Sequence, residues 1–202
     1  MAEIVAREFD VDEVLNVSYS RPMYSQIHRL IREGQLDKVK GLVEEDSRVT
    51  EFPDLMQKRS LHVACSVANS ELMVSYLLES GAKPTSLAID SMTPLHIACS
   101  SNAGEKAVEM LVNHKEGKET IDWKNKNGKT ALDFAFEKKL AATARVLCER
   151  GASITSTCRE AAAGYGHDGL KALVEQYGGE TSDPHRVSPP PSKRQKSQAK
   201  DA

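Results

Sequence analysis

The chain has 202 residues, a hydrophobic content of 40% and a formal net charge of −2 at pH 7. This apolar content is enough for one or two folded domains, whereas the nearly balanced charge gives no overall argument for binding nucleic acid or a membrane surface. No apolar run is long enough to predict a membrane-spanning helix, and the first residues lack the pattern of a secretory signal. The four cysteines are therefore expected to be reduced thiols.

Residues 1–23 do not share the repeating pattern of the chain that follows them. Acidic and apolar residues are interspersed there, with Glu8, Asp10 and Asp12 next to Phe9 and Val11. This composition is typical either of a disordered acidic leader or of a short amphipathic helix that caps the next unit. In both cases the leader could dock on a partner.

The clearest short pattern of the sequence begins at Thr93. Thr93 is a good N-cap residue, and Pro94 follows at the first helical position, where its missing N–H has no cost. Leu95, Ala98 and Cys99 then share one face of the predicted helix. Such a short helix cannot form a core alone, because it buries too little apolar surface.

Copies of this pattern recur along the chain. His62 precedes His96 by 34 residues, His28 precedes His62 by another 34, and Asp133 follows His96 after 37. Each copy is followed by a second helix with an apolar triplet, and a fifth triplet comes near the end: Val39/Leu42/Val43, Val74/Leu77/Leu78, Val108/Leu111/Val112, Ala144/Leu147/Cys148 and Leu170/Leu173/Val174. Self-similarity at this period predicts a helical solenoid, in which each unit buries its apolar side against the next.

These residues resemble a known family. The segments 93–98, 108–112 and 127–132, together with Gly81-Ala82 and Gly151-Ala152 at the ends of second helices, are similar to ankyrin repeats. The resemblance implies an all-α solenoid, an ankyrin-repeat stack of antiparallel helix pairs with short β-hairpin fingers. It covers residues 24–178, with units at about 25–53, 54–87, 88–124, 125–155 and 156–178.

Buried polar positions and cysteines follow from the same register. The resemblance implies that His62 and His96 hydrogen-bond neighbouring turns, and Asp133 at the same position can accept from backbone N–H groups at the helix start. Cys65, Cys99 and Cys148 are predicted to be small buried hydrophobes, whereas Cys158, near the last unit, is expected to be the most exposed thiol. The inserted segment 115–119 is predicted to project as a mobile polar bulge.

No catalytic constellation is present in the sequence. The repeated histidines lie about one unit, near 10 Å, apart and so cannot share one metal ion. There is no CxxC pair and no phosphate-binding glycine loop. We therefore expect no enzyme activity, no cofactor and no metal.

Function must then come from surfaces. The resemblance implies that a partner protein binds the concave face, which the fingertips and the first helices form. We expect an apolar anchor site there with a basic side, and the predicted binding residues are Met56, Val67, Ile89, Asp90, Met92, Lys126, Asn127 and Lys129. Alternatively, the methionines fold back to cover the finger backbone.

Residues 179–202 are rich in proline, serine, lysine and glutamine, which predicts a disordered tail. Within this tail Lys193, Arg194 and Lys196 resemble a nuclear import signal read by an importin, although a solubilising basic tail would have the same composition.

These features together predict a monomeric, non-catalytic adaptor, scaffold or regulatory subunit that binds a partner protein in the nucleus or the cytoplasm. Two alternatives stay open. One is a nucleic-acid-associated factor that uses the basic fourth finger and the tail, and the other is a dedicated chaperone for one client protein.

Overall fold

The computed structural model describes residues 26–101 and 103–178. The predictions for the leader (1–23) and for the tail (179–202), including the import signal, lie outside the described residues. The described part contains ten α-helices: α1 (26–32), α2 (Leu36–Glu45), α3 (Ser60–Ala64), α4 (Glu71–Glu79), α5 (Pro94–Ser101), α6 (Glu105–Asn113), α7 (Ala131–Glu137), α8 (Ala141–Glu149), α9 (Ser156–Tyr165) and α10 (Asp168–Tyr177).

The helices form two layers. Helices α3, α5, α7 and α9 pack against one another in chain order, and α4, α6, α8 and α10 do the same in a second layer. Contacts between α3 and α4, α5 and α6, α7 and α8, and α9 and α10 join the layers pair by pair. The predicted solenoid of stacked helix pairs is confirmed.

The core is continuous along the stack, because each pair buries its apolar triplet against the next pair. Leu77, Leu111 and Leu147, one from each of three successive second helices, are at most 1% exposed. Full burial of a leucine side chain contributes about 2 kcal/mol. No single pair could bury these residues alone, so the units are stable only together.

Glycine ends two of the second helices as predicted. Gly81 and Gly151 have φ values of +87° and +91°, a left-handed conformation that glycine adopts without steric cost. The amide of Ala82 then donates to the Leu77 carbonyl at 2.9 Å. This geometry closes the helix and directs the chain towards the next finger.

The fingers are tight turns rather than paired strands. No strand occurs among the described residues, because each finger spans only five residues, 54–58, 88–92 and 125–129. In each finger the amide of the first residue donates to the carbonyl of the last: Asp54 N to Lys58 O (2.9 Å), Ala88 N to Met92 O (2.8 Å) and Asn125 N to Lys129 O (2.9 Å). The predicted β-hairpins are therefore corrected to hydrogen-bonded turns.

The insertion at 115–119 does not project as a loop. Gly117–Thr120 form a turn of 3₁₀-helix directly after α6, and Gly117 is buried. A Cβ atom on Gly117 would lie 1.9 Å from the carbonyl oxygen of Leu111, so only glycine fits there. The insertion is therefore folded against the end of α6, with its charged side chains exposed.

Candidate protein-binding surface

The three fingers form one continuous rim along the edge of the stack. The amide of Ile89 donates to the carbonyl of Met56 at 3.0 Å, and the amide of Lys126 donates to the carbonyl of Asp90 at 2.8 Å. These bonds fix each fingertip relative to the next. We call the residues 54–58, 88–92 and 125–129 the finger rim.

Side chains anchor the two outer fingers. Asp54 Oδ1 accepts from the amides of Met56 (2.8 Å) and Lys58 (2.9 Å). Asn125 Oδ1 accepts in the same way from the amides of Asn127 (3.0 Å) and Lys129 (3.0 Å). Asp and Asn are common in turns because their side chains can make such bonds.

The middle finger has no such anchor, because Ala88 occupies the equivalent position. Its turn contains two consecutive residues other than glycine in the left-handed conformation, Asp90 (φ 58°) and Ser91 (φ 57°). This conformation costs about 1 kcal/mol or more for each such residue. The bonds to the two neighbouring fingers, rather than its own side chains, therefore support the middle finger.

Apolar side chains are exposed on the rim. Leu55 is 91% exposed, Met56 49% and Ile89 46%. The sequence analysis predicted Met56 and Ile89 for this cluster but did not include Leu55 among the binding residues. The combination of a large apolar side chain and a turn position was the signal for Leu55.

Met92 and Val67, the other two predicted apolar residues, are only half-buried. The Met92 side chain packs against the core, and its sulfur accepts from Asn125 Nδ2 at 3.3 Å. Met92 is therefore turned towards the core, whereas Met56 and Ile89 remain exposed.

The fourth-unit side of the rim is basic but partly neutralised. Lys126 Nζ lies 3.9 Å from Asp90 Oδ1, and Lys129 Nζ lies 2.6 Å from Glu137 Oε1. Asn127 is exposed at the tip of this finger. Lys126, Asn127 and Lys129 thus lie on the finger next to the apolar cluster, and Asp90 lies between the two.

Buried histidines connect the first helices to the fingers. His96 Nδ1 accepts from the amide of Thr93 at 3.2 Å, so the proton is on Nε2, which donates to the Lys129 carbonyl at 3.2 Å. His62 contacts the carbonyls of Ser86 (3.1 Å) and Met92 (3.2 Å) in the same way. Burial away from water lowers the pKa of both imidazoles to about 4. The role implied for His62 and His96 is confirmed.

Asp133 occupies the corresponding position in the fourth unit. Its Oδ2 accepts from the amide of Thr130 at 2.8 Å, as predicted. Its Oδ1 accepts from the Thr155 hydroxyl and from Cys158 Sγ, the latter at 3.2 Å. The carboxylate therefore joins the fourth unit to the fifth.

The expectation that Cys158 is exposed is wrong. Its side chain is buried because the thiol bonds to Asp133 under α9, and burial raises the pKa of the thiol to about 12. Cys65, Cys99 and Cys148 are buried as predicted, and burial raises the pKa of each of these thiols as well. All four thiols are therefore protonated and shielded near neutral pH.

Within residues 26–101 and 103–178, no three or more His, Cys, Asp or Glu side chains are grouped so that they could hold a metal ion. No helix in this part of the chain combines the length and the apolar character needed to cross a membrane.

Comparison with known proteins identifies the class. Residues 61–158 match a family model described as ankyrin repeats in three copies. Residues 61–158 therefore consist of ankyrin repeats, and such repeats imply protein–protein interaction. The chain is similar to the human B-cell lymphoma 3 protein, with 25% identity over 145 residues, which are 72% of this chain and 30% of that relative. The chain thus spans less than a third of the length of the relative.

Proposed function

We propose that this chain is a non-catalytic adaptor or regulatory subunit that binds a partner protein through the finger rim and the adjoining first helices. The observation that carries the proposal is the exposure of Leu55, Met56 and Ile89 on backbone that the finger-to-finger hydrogen bonds hold in place. Exposed apolar side chains with a polar border are the expected centre of a protein interface. A rigid rim also lowers the entropy that binding costs.

The surface also indicates the chemistry of the partner. The apolar side chains lie on the fingers 54–58 and 88–92. On the next finger Lys126 is exposed, and Lys124 is exposed just before it. A partner segment with an apolar anchor over the first two of these fingers, followed by acidic residues towards the third, complements both features.

Affinity capture of the tagged chain from cross-linked cells, followed by mass spectrometry, tests this proposal. We expect Met56→Asp/Ile89→Asp to lose a partner that the wild-type chain captures, with an unchanged helical circular dichroism spectrum. Leu72→Asp is the matched control, because Leu72 is an equally apolar residue, 73% exposed, on α4 in the other helix layer. If Leu72→Asp loses the partner and the rim variant retains it, the rim is not the binding site.

The basic finger favours a second candidate, a nucleic-acid-associated factor. Its lysines give less net charge than their number suggests, since Lys126 and Lys129 pair with Asp90 and Glu137. Binding through phosphate groups weakens steeply as salt rises. A filter-binding titration in which affinity falls steeply between about 50 and 200 mM salt would favour nucleic acid over a protein partner.

We propose the nucleus as a site of action, in addition to the cytoplasm, on the basis of Lys193, Arg194 and Lys196 in the sequence. A fluorescent fusion of the full chain should lose nuclear accumulation when these three residues are changed to alanine. The same three substitutions should leave partner capture unchanged, because the proposed binding surface lies elsewhere.

A further inference from the structure

We propose that the acidic leader, residues 1–23 of this same chain, occupies the finger rim when no partner is bound. The leader would then compete in cis with the partner, as an autoinhibitory segment. This inference rests on the proposed function of the rim and adds a regulator to it.

The rim has an apolar centre that no other described side chain covers. Leu55 is 91% exposed, and Met56 and Ile89 are about half exposed. Each belongs to a finger whose backbone the neighbouring finger holds. A fixed apolar cluster of this kind favours any segment that can bring apolar side chains to it at high local concentration.

The leader has the composition that the rim requires. Among residues 1–15 there are five acidic side chains and a single basic one, Arg7. Apolar and acidic residues alternate from Phe9 to Asp12, and Val14 and Leu15 follow Glu13. The leader thus combines apolar anchors with negative charge, which is the chemistry expected of a partner segment.

Charge complementarity determines which way the acidic residues should lie. On the fourth-unit side of the apolar cluster, Lys126 is exposed on the next finger and Lys124 is exposed just before it. Lys126 is only loosely paired, at 3.9 Å from an Asp90 side chain that is itself half exposed. Exposed ion pairs of this kind are weak, so Lys126 can exchange Asp90 for a carboxylate of the leader.

The connection is long enough for the leader to reach the rim. Ten residues lie between Leu15 and the first described residue of α1, and the eleven residue-to-residue steps across them span up to about 36–40 Å when extended. Stacked helices lie about 8–10 Å apart, so the fingers 54–58 and 88–92 are only one or two units away. A tether of this length gives an effective concentration in the millimolar range, at which a weak contact forms and a partner can still displace it.

Paramagnetic broadening of methionine methyl signals in the full chain tests the proposal. A nitroxide on Ala6→Cys reports where the leader lies. The four native thiols, buried and protonated, should take up no label, which labelling of the wild-type chain verifies. We expect the Met56 methyl signal to broaden several-fold more than that of Met110 on α6, in the other helix layer. Phe9→Ser/Val11→Ser in the labelled chain should remove this difference.

Two outcomes overturn the proposal. Equal broadening of Met56 and Met110, or none at either, means that the leader does not occupy the rim. The observed, nitroxide-labelled chains can also be diluted with chains that carry no nitroxide and give no methyl signal. If the broadening of Met56 then disappears, it comes from the leader of a second copy, which excludes the contact in cis. Neither result depends on a partner, whereas loss of capture by Met56→Asp/Ile89→Asp concerns the partner alone, so the two proposals fail separately.

Discussion

At the starts of α5 and α7, the first helices of the third and fourth units, the equivalent position holds a hydrogen-bond donor in one unit and an acceptor in the other. In the third unit, His96 donates its Nε2 proton to the Lys129 carbonyl of the next finger. In the fourth unit, Asp133 accepts from the hydroxyl of Thr155 and the thiol of Cys158. Both residues also receive the amide of the threonine three positions earlier, at 3.2 and 2.8 Å.

The difference follows from what the next unit offers. A finger presents a backbone carbonyl, which needs a donor, so neutral histidine fits. The fifth unit has no finger, because α9 begins at Ser156, only five residues after Gly151. Its side chains present donors instead, and a carboxylate accepts them. The residue at this position is thus matched to the polarity of the neighbouring unit.

The largest expected effect on stability is that of acid, which should break the hydrogen bonds from His62 and His96 to backbone carbonyls. Burial lowers the pKa of His62 and His96 to about 4, below the unfolded value near 6.5. Their contribution is complete above pH 6.5 and is lost as pH falls through 4, at about 3 kcal/mol for each histidine. Urea denaturation followed by circular dichroism at several pH values should show this fall. His96→Ala should lose less stability on acidification than the wild-type chain, and an equal loss would contradict the assignment.

Asp133→His should destabilise the stack by about 3 kcal/mol, although histidine occupies this position in the two units before it. The imidazole would bring a donor to Thr155 and Cys158, which also donate, and buried donors without acceptors are costly. Asp133→Asn keeps one acceptor oxygen and should lose less. The free energy of unfolding from urea titration measures both. A histidine variant as stable as the wild-type chain would show that polarity matching is not what fixes this residue.

His96→Ala should cost about 2 kcal/mol, because the Thr93 amide and the Lys129 carbonyl lose their buried partner. His96→Asp sharpens the comparison. Its carboxylate could still accept from Thr93, but it would face the Lys129 carbonyl, so we expect a larger loss than with alanine. Thermal unfolding at pH 7 distinguishes the two variants, and the reverse order would contradict the proposed proton on Nε2.

Cys158→Val should have the smallest effect, a loss of about 1 kcal/mol, because it removes one donor to Asp133 while keeping a side chain of similar size. Cys158→Ser retains a donor and should stay within about 0.5 kcal/mol of the wild-type chain. Urea midpoints of the two variants measure the difference. A serine variant as unstable as the valine variant would show that packing, not the hydrogen bond, is what Cys158 contributes.

Much of this architecture could be predicted from the sequence, because it depends on local and periodic signals. The 34-residue spacing of His62 and His96 and the two Gly-Ala pairs indicated the helix pairs and their ends. The same register placed Met56 and Ile89 at fingertips. Asp133 was correctly expected to accept backbone N–H groups at its helix start.

The features that were missed depend on contacts between units. Cys158 is buried because α9 meets Asp133 across 25 residues of sequence, which spacing within one unit does not indicate. Met92 turns inward because Asn125 of the next finger bonds its sulfur. Likewise, nothing in the sequence indicated that the Leu111 carbonyl lies against Gly117.

The folded insertion after α6 has a consequence for engineering. The unit from His96 to Asp133 is three residues longer than the one before it, yet Lys126 still bonds to Asp90 as Ile89 does to Met56. The 3₁₀ turn after α6 takes up the extra length, and the hydrogen bond that links successive fingertips is the same on both sides. Foreign peptides or affinity tags inserted between Lys115 and Glu116, both exposed and ahead of the buried glycine, should therefore leave the recognition edge of the molecule in register.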